Sequence, residues 1–113
     1  MFSSSKPTTE IVNMVKSIID NNAVVVFSKT YCPYCASTKR KLKSMGVNYA
    51  LIELDQESDG SAMQNALEDL TGQRTVPNVF IGQKHIGGNS EVQALASSGK
   101  LEQILAEAGV GKA

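Results

Sequence analysis

Lys29-Thr30-Tyr31-Cys32-Pro33-Tyr34-Cys35 holds both cysteines of the chain, with two residues between them, and sits where an apolar run meets a helical pattern. The run before it, Ala23-Val24-Val25-Val26-Phe27, is β-branched and aromatic and reads as a buried strand. After it, Ala36 to Met45 contains helix formers and neither Gly nor Pro until Gly46 stops the pattern. Pro33 suits the first helical position, where a missing N–H costs nothing. Cys32 is therefore expected at or next to the N-cap, facing unpaired N–H groups and the positive end of the helix dipole. Cys35 is expected about one turn in, on the same side and more shielded.

A free thiol is only about 3% ionised at pH 7, and the thiolate is the nucleophile. Helix N-termini and nearby cations lower thiol pKa values, and Lys29 stands three residues upstream of Cys32. The arrangement suits a nucleophile at Cys32 and a resolving thiol at Cys35. A stapling disulfide is an alternative, but so short a loop contributes only about 2 kcal/mol on the chain-entropy reckoning. A zinc half-site is another; tetrahedral zinc wants four ligands, and only His85 remains outside the acidic residues. No metal site is expected.

The 113 residues read as one domain over 1–113, long enough to bury roughly two-thirds of its unfolded surface. At 42% apolar and 19% charged the composition is globular, which excludes a disordered chain. Eleven basic residues balance eleven acidic ones, so nothing in the overall charge points to nucleic acid. Two cysteines in one redox-type pair leave no framework of structural disulfides, which favours a reducing compartment. Met1-Phe2-Ser3-Ser4-Ser5-Lys6 lacks the apolar core of a secretory signal and the arginines of a transit peptide, and no run approaches membrane-spanning length. The expectation is a soluble, cytoplasmic monomer without membrane contact.

Outward from the cysteines, Thr8 or Thr9 caps a first helix over about 8–20, with Ile11, Val12, Met14, Val15, Ile18 and Ile19 on its apolar face. The core then spans about 23–108. Lys39, Arg40, Lys41 and Lys43 crowd the far end of the cysteine helix and read as a solvated face that complements the dipole, with a docking patch for acidic partners as the alternative. A second strand is expected over Tyr49–Leu54 with Glu53 as its one interior charge, then a polar loop Asp55–Gly60. A helix from about Ser61 to Leu70 buries Ala62, Met63, Ala66, Leu67 and Leu70, and Thr71-Gly72 ends it. Strands Asn78–Ile81 and Lys84–Ile86, linked by Gly82-Gln83, read as an antiparallel hairpin. Asn89 or Ser90 starts a helix that Ser97-Ser98-Gly99 interrupts before Leu101, Ile104 and Leu105, and the tail after Gly109 is expected to fray. Two strands joined by a helix pair in parallel. With the hairpin they make an α/β fold of thioredoxin-like type, a small mixed four-stranded sheet flanked by helices on both faces.

Two further stretches belong to the site. In Thr75-Val76-Pro77, a cis bond before the proline would let the Val76 backbone pair with an extended peptide, whereas a trans proline would merely begin a strand. In Gly87-Gly88-Asn89-Ser90-Glu91, glycines admit close backbone approach and a helix start offers N–H groups to a carboxylate. An ordinary strand-to-helix turn would look similar.

Together the three stretches resemble the signature of dithiol glutaredoxins of the C-P-Y-C class, over nearly the whole chain. Pro33-Tyr34 between the cysteines separates it from thioredoxins. Glu91 departs from the Asp common in that family, keeping the charge and lengthening the reach. The resemblance implies a cis Pro77 and a glutathione groove beside Cys32. In it, Lys29, Gln64 and Arg74 would hold the glycine carboxylate of glutathione, and Val76, flanked by Thr75, Pro77 and Tyr34, would pair with the cysteinyl unit. Gly88, Asn89 and Ser90 would receive the γ-glutamyl end. The implied activity is glutathione-dependent reduction of protein–glutathione mixed disulfides and of protein disulfides, through a Cys32 thiolate and a resolving Cys35. Glutathione serves as electron donor and no cofactor is tightly bound. An alternative from another class is a dimer that holds a [2Fe–2S] cluster through Cys32 and bound glutathione; Pro33 and Cys35 weigh against it.

Overall fold

The computed structural model describes residues 8–110. The signal-free reading of Met1–Lys6 and the last three residues of the tail lie outside that range.

Helix α1 (Thr9–Asp20) is capped by Thr8, whose hydroxyl accepts the Ile11 N–H at 3.1 Å. Strand β1 (Val24–Ser28) is buried along its whole length. Helix α2 (Pro33–Ser44) follows, with Pro33 in its first turn and Gly46 beyond its end at φ 74°. Strand β2 (Ala50–Glu53) is one residue shorter at each end than the pattern predicted, because Leu54 turns inward and starts a 3₁₀ turn over Leu54–Gln56. Helix α3 runs over Gly60–Thr71, and Gly72 ends it at φ 79°. Strands β3 (Asn78–Ile81) and β4 (Lys84–Gly87) form the expected hairpin, with positive φ at both Gly82 and Gln83. Helices α4 (Asn89–Ser97) and α5 (Lys100–Glu107) are separated at Gly99.

The sheet order is β2-β1-β3-β4, with β1 parallel to β2 and antiparallel to β3. Alternation along β1 sorts the core into two layers. Val25 and Phe27 join Val15, Ile19, Met63, Ala66 and Leu67 of α1 and α3 on one face. Val24 and Val26 join Leu42, Val92, Leu101 and Leu105 of α2, α4 and α5 on the other. The fold is the mixed, two-faced α/β arrangement that the element order predicted. Complete burial of Phe27, edge-on to Phe80 at 5.9 Å, contributes about 1.5–3 kcal/mol by itself.

Four expectations are corrected. Met14 and Leu70, placed on apolar faces by their spacing, are both 38% exposed. Met14 is rotated about 100° from Val15, off the buried stripe, and Leu70 falls in the last turn of α3. Lys39 is not merely solvated, since its ammonium lies 2.8 Å from Glu53 Oε2. Val110 does not fray: its N–H donates to the Leu105 carbonyl at 2.9 Å and its side chain packs on the second layer.

The register positions the site. Phe27 pairs with Asn78 and Val79 with Gly87. The carboxyl end of β1, the segment entering β3 and the end of β4 therefore meet at one end of the sheet.

Candidate active site

Cys32 is the N-cap residue of α2, and its sulfur accepts the Cys35 N–H at 3.2 Å. That N–H is one of the donors a helix start leaves without an intrahelical partner, and it strengthens when the sulfur is ionised. On its other side the Cys32 thiol is directed at the Val76 carbonyl, 3.7 Å away. Ionisation of Cys32 removes that donor and releases the Val76 carbonyl. Both thiols are free.

Cys35 is fully buried. Burial, and then its contact with Cys32, push its thiol up to about 11. The two sulfurs thus differ in access and in environment.

The loop leading to Cys32 is tied down from the 3₁₀ turn that follows β2. The Thr30 N–H donates to Asp55 Oδ1 at 2.9 Å and the Thr30 hydroxyl to Asp55 Oδ2. These two bonds, the hydroxyl's first, hold the Asp55 carboxyl down to about 2. The 3₁₀ turn that shortened β2 is what brings Asp55 there.

The Val76–Pro77 bond is cis, as the resemblance implied. A cleft of about 600 Å³ opens beside it, lined by Tyr34, Gln73, Thr75, Val76, Pro77, Gly88, Asn89, Ser90 and Glu91. Seven of the ten residues expected to bind glutathione are therefore gathered around one cleft. The other three do not line it. Gln64 donates to the Arg74 carbonyl at 2.8 Å, while the Arg74 guanidinium turns to Asn65 and to Glu68 at 3.5 Å. Lys29 is half-buried at the end of β1.

At the far side of the cleft the expected Asn or Ser cap is replaced by Gly88, the N-cap of α4. Glu91 Oε1 accepts the Gly88 N–H at 2.7 Å, which lowers the Glu91 carboxyl below its usual range. Asn89 turns its side chain away, its Oδ1 accepting from Thr38 at 2.9 Å and from Gln93 at 3.1 Å. The N–H groups of Asn89 and Ser90 have no intrahelical partner at this helix start.

The chain as a whole has counterparts among known proteins. The glutaredoxin family's sequence profile, described as Glutaredoxin, matches residues 24–86, more than half of the chain. The chain belongs to the glutaredoxin family. A glutaredoxin of Ricinus communis is 60% identical over 94 residues, covering 83% of this chain and 92% of the relative. The crystal structure of a buckwheat glutaredoxin–glutathione complex has a TM-score of 0.85 at 51% identity, covering 91% of this chain and 97% of that one. The holo form of glutaredoxin C1 from Populus tremula x tremuloides gives 0.86 at 44% identity, over 88% and 98% of the two chains. Glutaredoxins are glutathione-dependent oxidoreductases, and this chain is an enzyme of that kind.

One cleft residue, Gln73, escaped the sequence pattern: it lies in a polar loop and carries no local signal at all. Glu91, part of the stretch singled out in the sequence, stands three residues after Gly88, the spacing of a capping box.

Proposed function

We propose that this glutaredoxin reduces protein–glutathione mixed disulfides with Cys32 as its nucleophile. The Cys32 thiolate attacks the glutathione sulfur, forming a Cys32–glutathione disulfide and releasing the protein thiolate, which takes up a proton. A second glutathione thiolate attacks the glutathione sulfur of that disulfide, giving oxidised glutathione and free Cys32. With a protein disulfide, Cys32 forms a mixed disulfide with one half and frees the other. Cys35 then attacks Cys32, expels the remaining protein thiolate and leaves a Cys32–Cys35 disulfide that two glutathiones reduce.

The observation that carries this reading is the position of the Cys32 sulfur, which accepts the Cys35 N–H at 3.2 Å beside the open cleft. Val76 pairs its backbone with the cysteinyl unit, flanked by Thr75, Pro77 and Tyr34. The γ-glutamyl carboxylate meets the helix start at Gly88, Asn89 and Ser90. Lys29, Gln64 and Arg74 take the glycine carboxylate. Arg74 must leave Glu68 to do so, and since both groups are half-exposed that pair is worth only about 0–1 kcal/mol. The enzyme acts as a monomer on glutathionylated and disulfide-bonded proteins.

The test is reduction of a glutathionylated peptide with glutathione as donor, run on the wild type and on each single Cys→Ser variant. Cys32→Ser should lose all activity, while Cys35→Ser should keep it and lose reduction of protein disulfides. Loss of both activities in Cys35→Ser, with neither lost in Cys32→Ser, would reverse the roles.

A further inference from the structure

Gln73 is the cleft residue whose side-chain nitrogen bridges two carbonyls of the protein's own backbone. Its Nε2 lies 3.0 Å from the Thr75 carbonyl and 3.0 Å from the Pro77 carbonyl. A carboxamide nitrogen has two hydrogens, and here each has a carbonyl. The amide oxygen is then left facing His85 Nε2 at 3.2 Å. An oxygen there requires His85 to donate from Nε2, which either protonation state of the ring can do. The His85 ring is set in turn against Phe80, centroid to centroid 5.3 Å. The Gln73 backbone is pinned as well, its N–H on the Thr71 hydroxyl at 3.0 Å.

The two carbonyls so held flank Val76. Each is drawn toward Gln73, so the Val76 carbonyl, beside the Cys32 sulfur at 3.7 Å, is the acceptor left to the cleft. We propose that Gln73 is a positioning residue for glutathione recognition, a clamp that fixes the backbone on both sides of Val76 and is itself oriented by His85. The proposal rests on the reading that Val76 pairs with the cysteinyl unit of glutathione. It adds that this pairing surface is held in register by one side chain from outside the strand. Pre-ordering such a surface lowers the entropic cost of binding, so the clamp acts on substrate affinity rather than on sulfur chemistry.

Gln73→Leu keeps the bulk of the side chain and removes both donors and the acceptor. His85→Phe keeps a ring on Phe80 and removes only the donor that orients the amide. Two substrates separate recognition from chemistry: one peptide as its mixed disulfide with glutathione, and the same peptide as its mixed disulfide with 2-mercaptoethanol. The loss of two hydrogen bonds should lower the ratio of kcat/KM between these substrates about tenfold in Gln73→Leu, through KM rather than kcat, and about threefold in His85→Phe. A ratio within twofold of wild type in Gln73→Leu, or a change carried by kcat, overturns the clamp. Should Gln73→Leu fail to fold, His85→Phe decides alone, because His85 is exposed. A lowered ratio supports the clamp and an unchanged one overturns it. Failure of the underlying reading looks different: the wild type itself would then show no preference for the glutathione substrate.

Discussion

The resolving step should be limited by the proton on Cys35, and pH is the perturbation that shows it. The Cys35 thiol is pushed up to about 11, first by burial and then by the Cys32 side chain. At pH 7 about one molecule in 10⁴ would carry the Cys35 thiolate, and at pH 9 about one in 10², so resolution should speed up roughly tenfold per pH unit. Once Cys32 is tied in a mixed disulfide its own contribution to that shift disappears, but burial, the largest cause, remains. The step is still feasible at neutral pH. The effective molarity of a well-placed intramolecular thiol, up to about 10⁵–10⁸ M, offsets a 10⁴-fold scarcity of thiolate. The assay is a single turnover with a disulfide-linked peptide dimer, quenched with acid, in which release of the second peptide half is followed by mass. Cys35→Ser serves as the control and should release the first half only. A release rate for the second half that stays flat between pH 7 and 9 would refute the reasoning.

Other expectations follow from the scaffold around the site. A Cβ on Gly60 would stand 1.9 Å from the Leu54 carbonyl oxygen, a backbone atom, so Gly60→Ala should destabilise by about 2–3 kcal/mol and lower the unfolding temperature by roughly 10 °C; an unchanged temperature in calorimetry would contradict that packing. Lys39→Met should cost about 1–3 kcal/mol in urea unfolding, because it strands a Glu53 carboxylate whose Oε1 already lacks a partner among the described residues, and Lys39→Met/Glu53→Leu should recover part of the loss. Asp55, held down to about 2 from 3.8, contributes stability that is full above pH 4 and is lost as pH falls through 2. The gap in unfolding temperature between wild type and Asp55→Ala should therefore close as pH drops from 4 to 2, and a gap that widened would remove the Thr30–Asp55 tie from the account.

The parts legible in the sequence were those encoded locally. Val24–Phe27 announced a buried strand by composition, Pro33 marked the helix start, and Gly46, Gly72 and Gly99 marked breaks in the chain, each confirmed by a positive φ. Cys32 could be placed at an N-cap because only neighbouring residues decide that. What escaped depends on contacts across the chain. Asp55 reaches Thr30 over 25 residues of separation, and Thr38 reaches Asn89 over 51, with no periodicity to betray either. Lys39 looked like one more lysine on a basic helix, since its partner Glu53 lies on another element. Gln73 has the same character: its role is visible only once Thr75, Pro77 and His85 are in place around it. Of the expected glutathione contacts, those in the two glycine- and proline-marked turns converged on the cleft, while Gln64 and Arg74 engage each other and α3.

The central claim is that Cys32, and not Cys35, carries glutathione. Intact mass measurement of both single Cys→Ser variants after brief exposure to oxidised glutathione tests it most directly. Cys35→Ser should gain one glutathione, lost again on adding reduced glutathione, and Cys32→Ser should gain none. Rapid uptake of glutathione by Cys32→Ser, with Cys35→Ser left unmodified, would contradict the account.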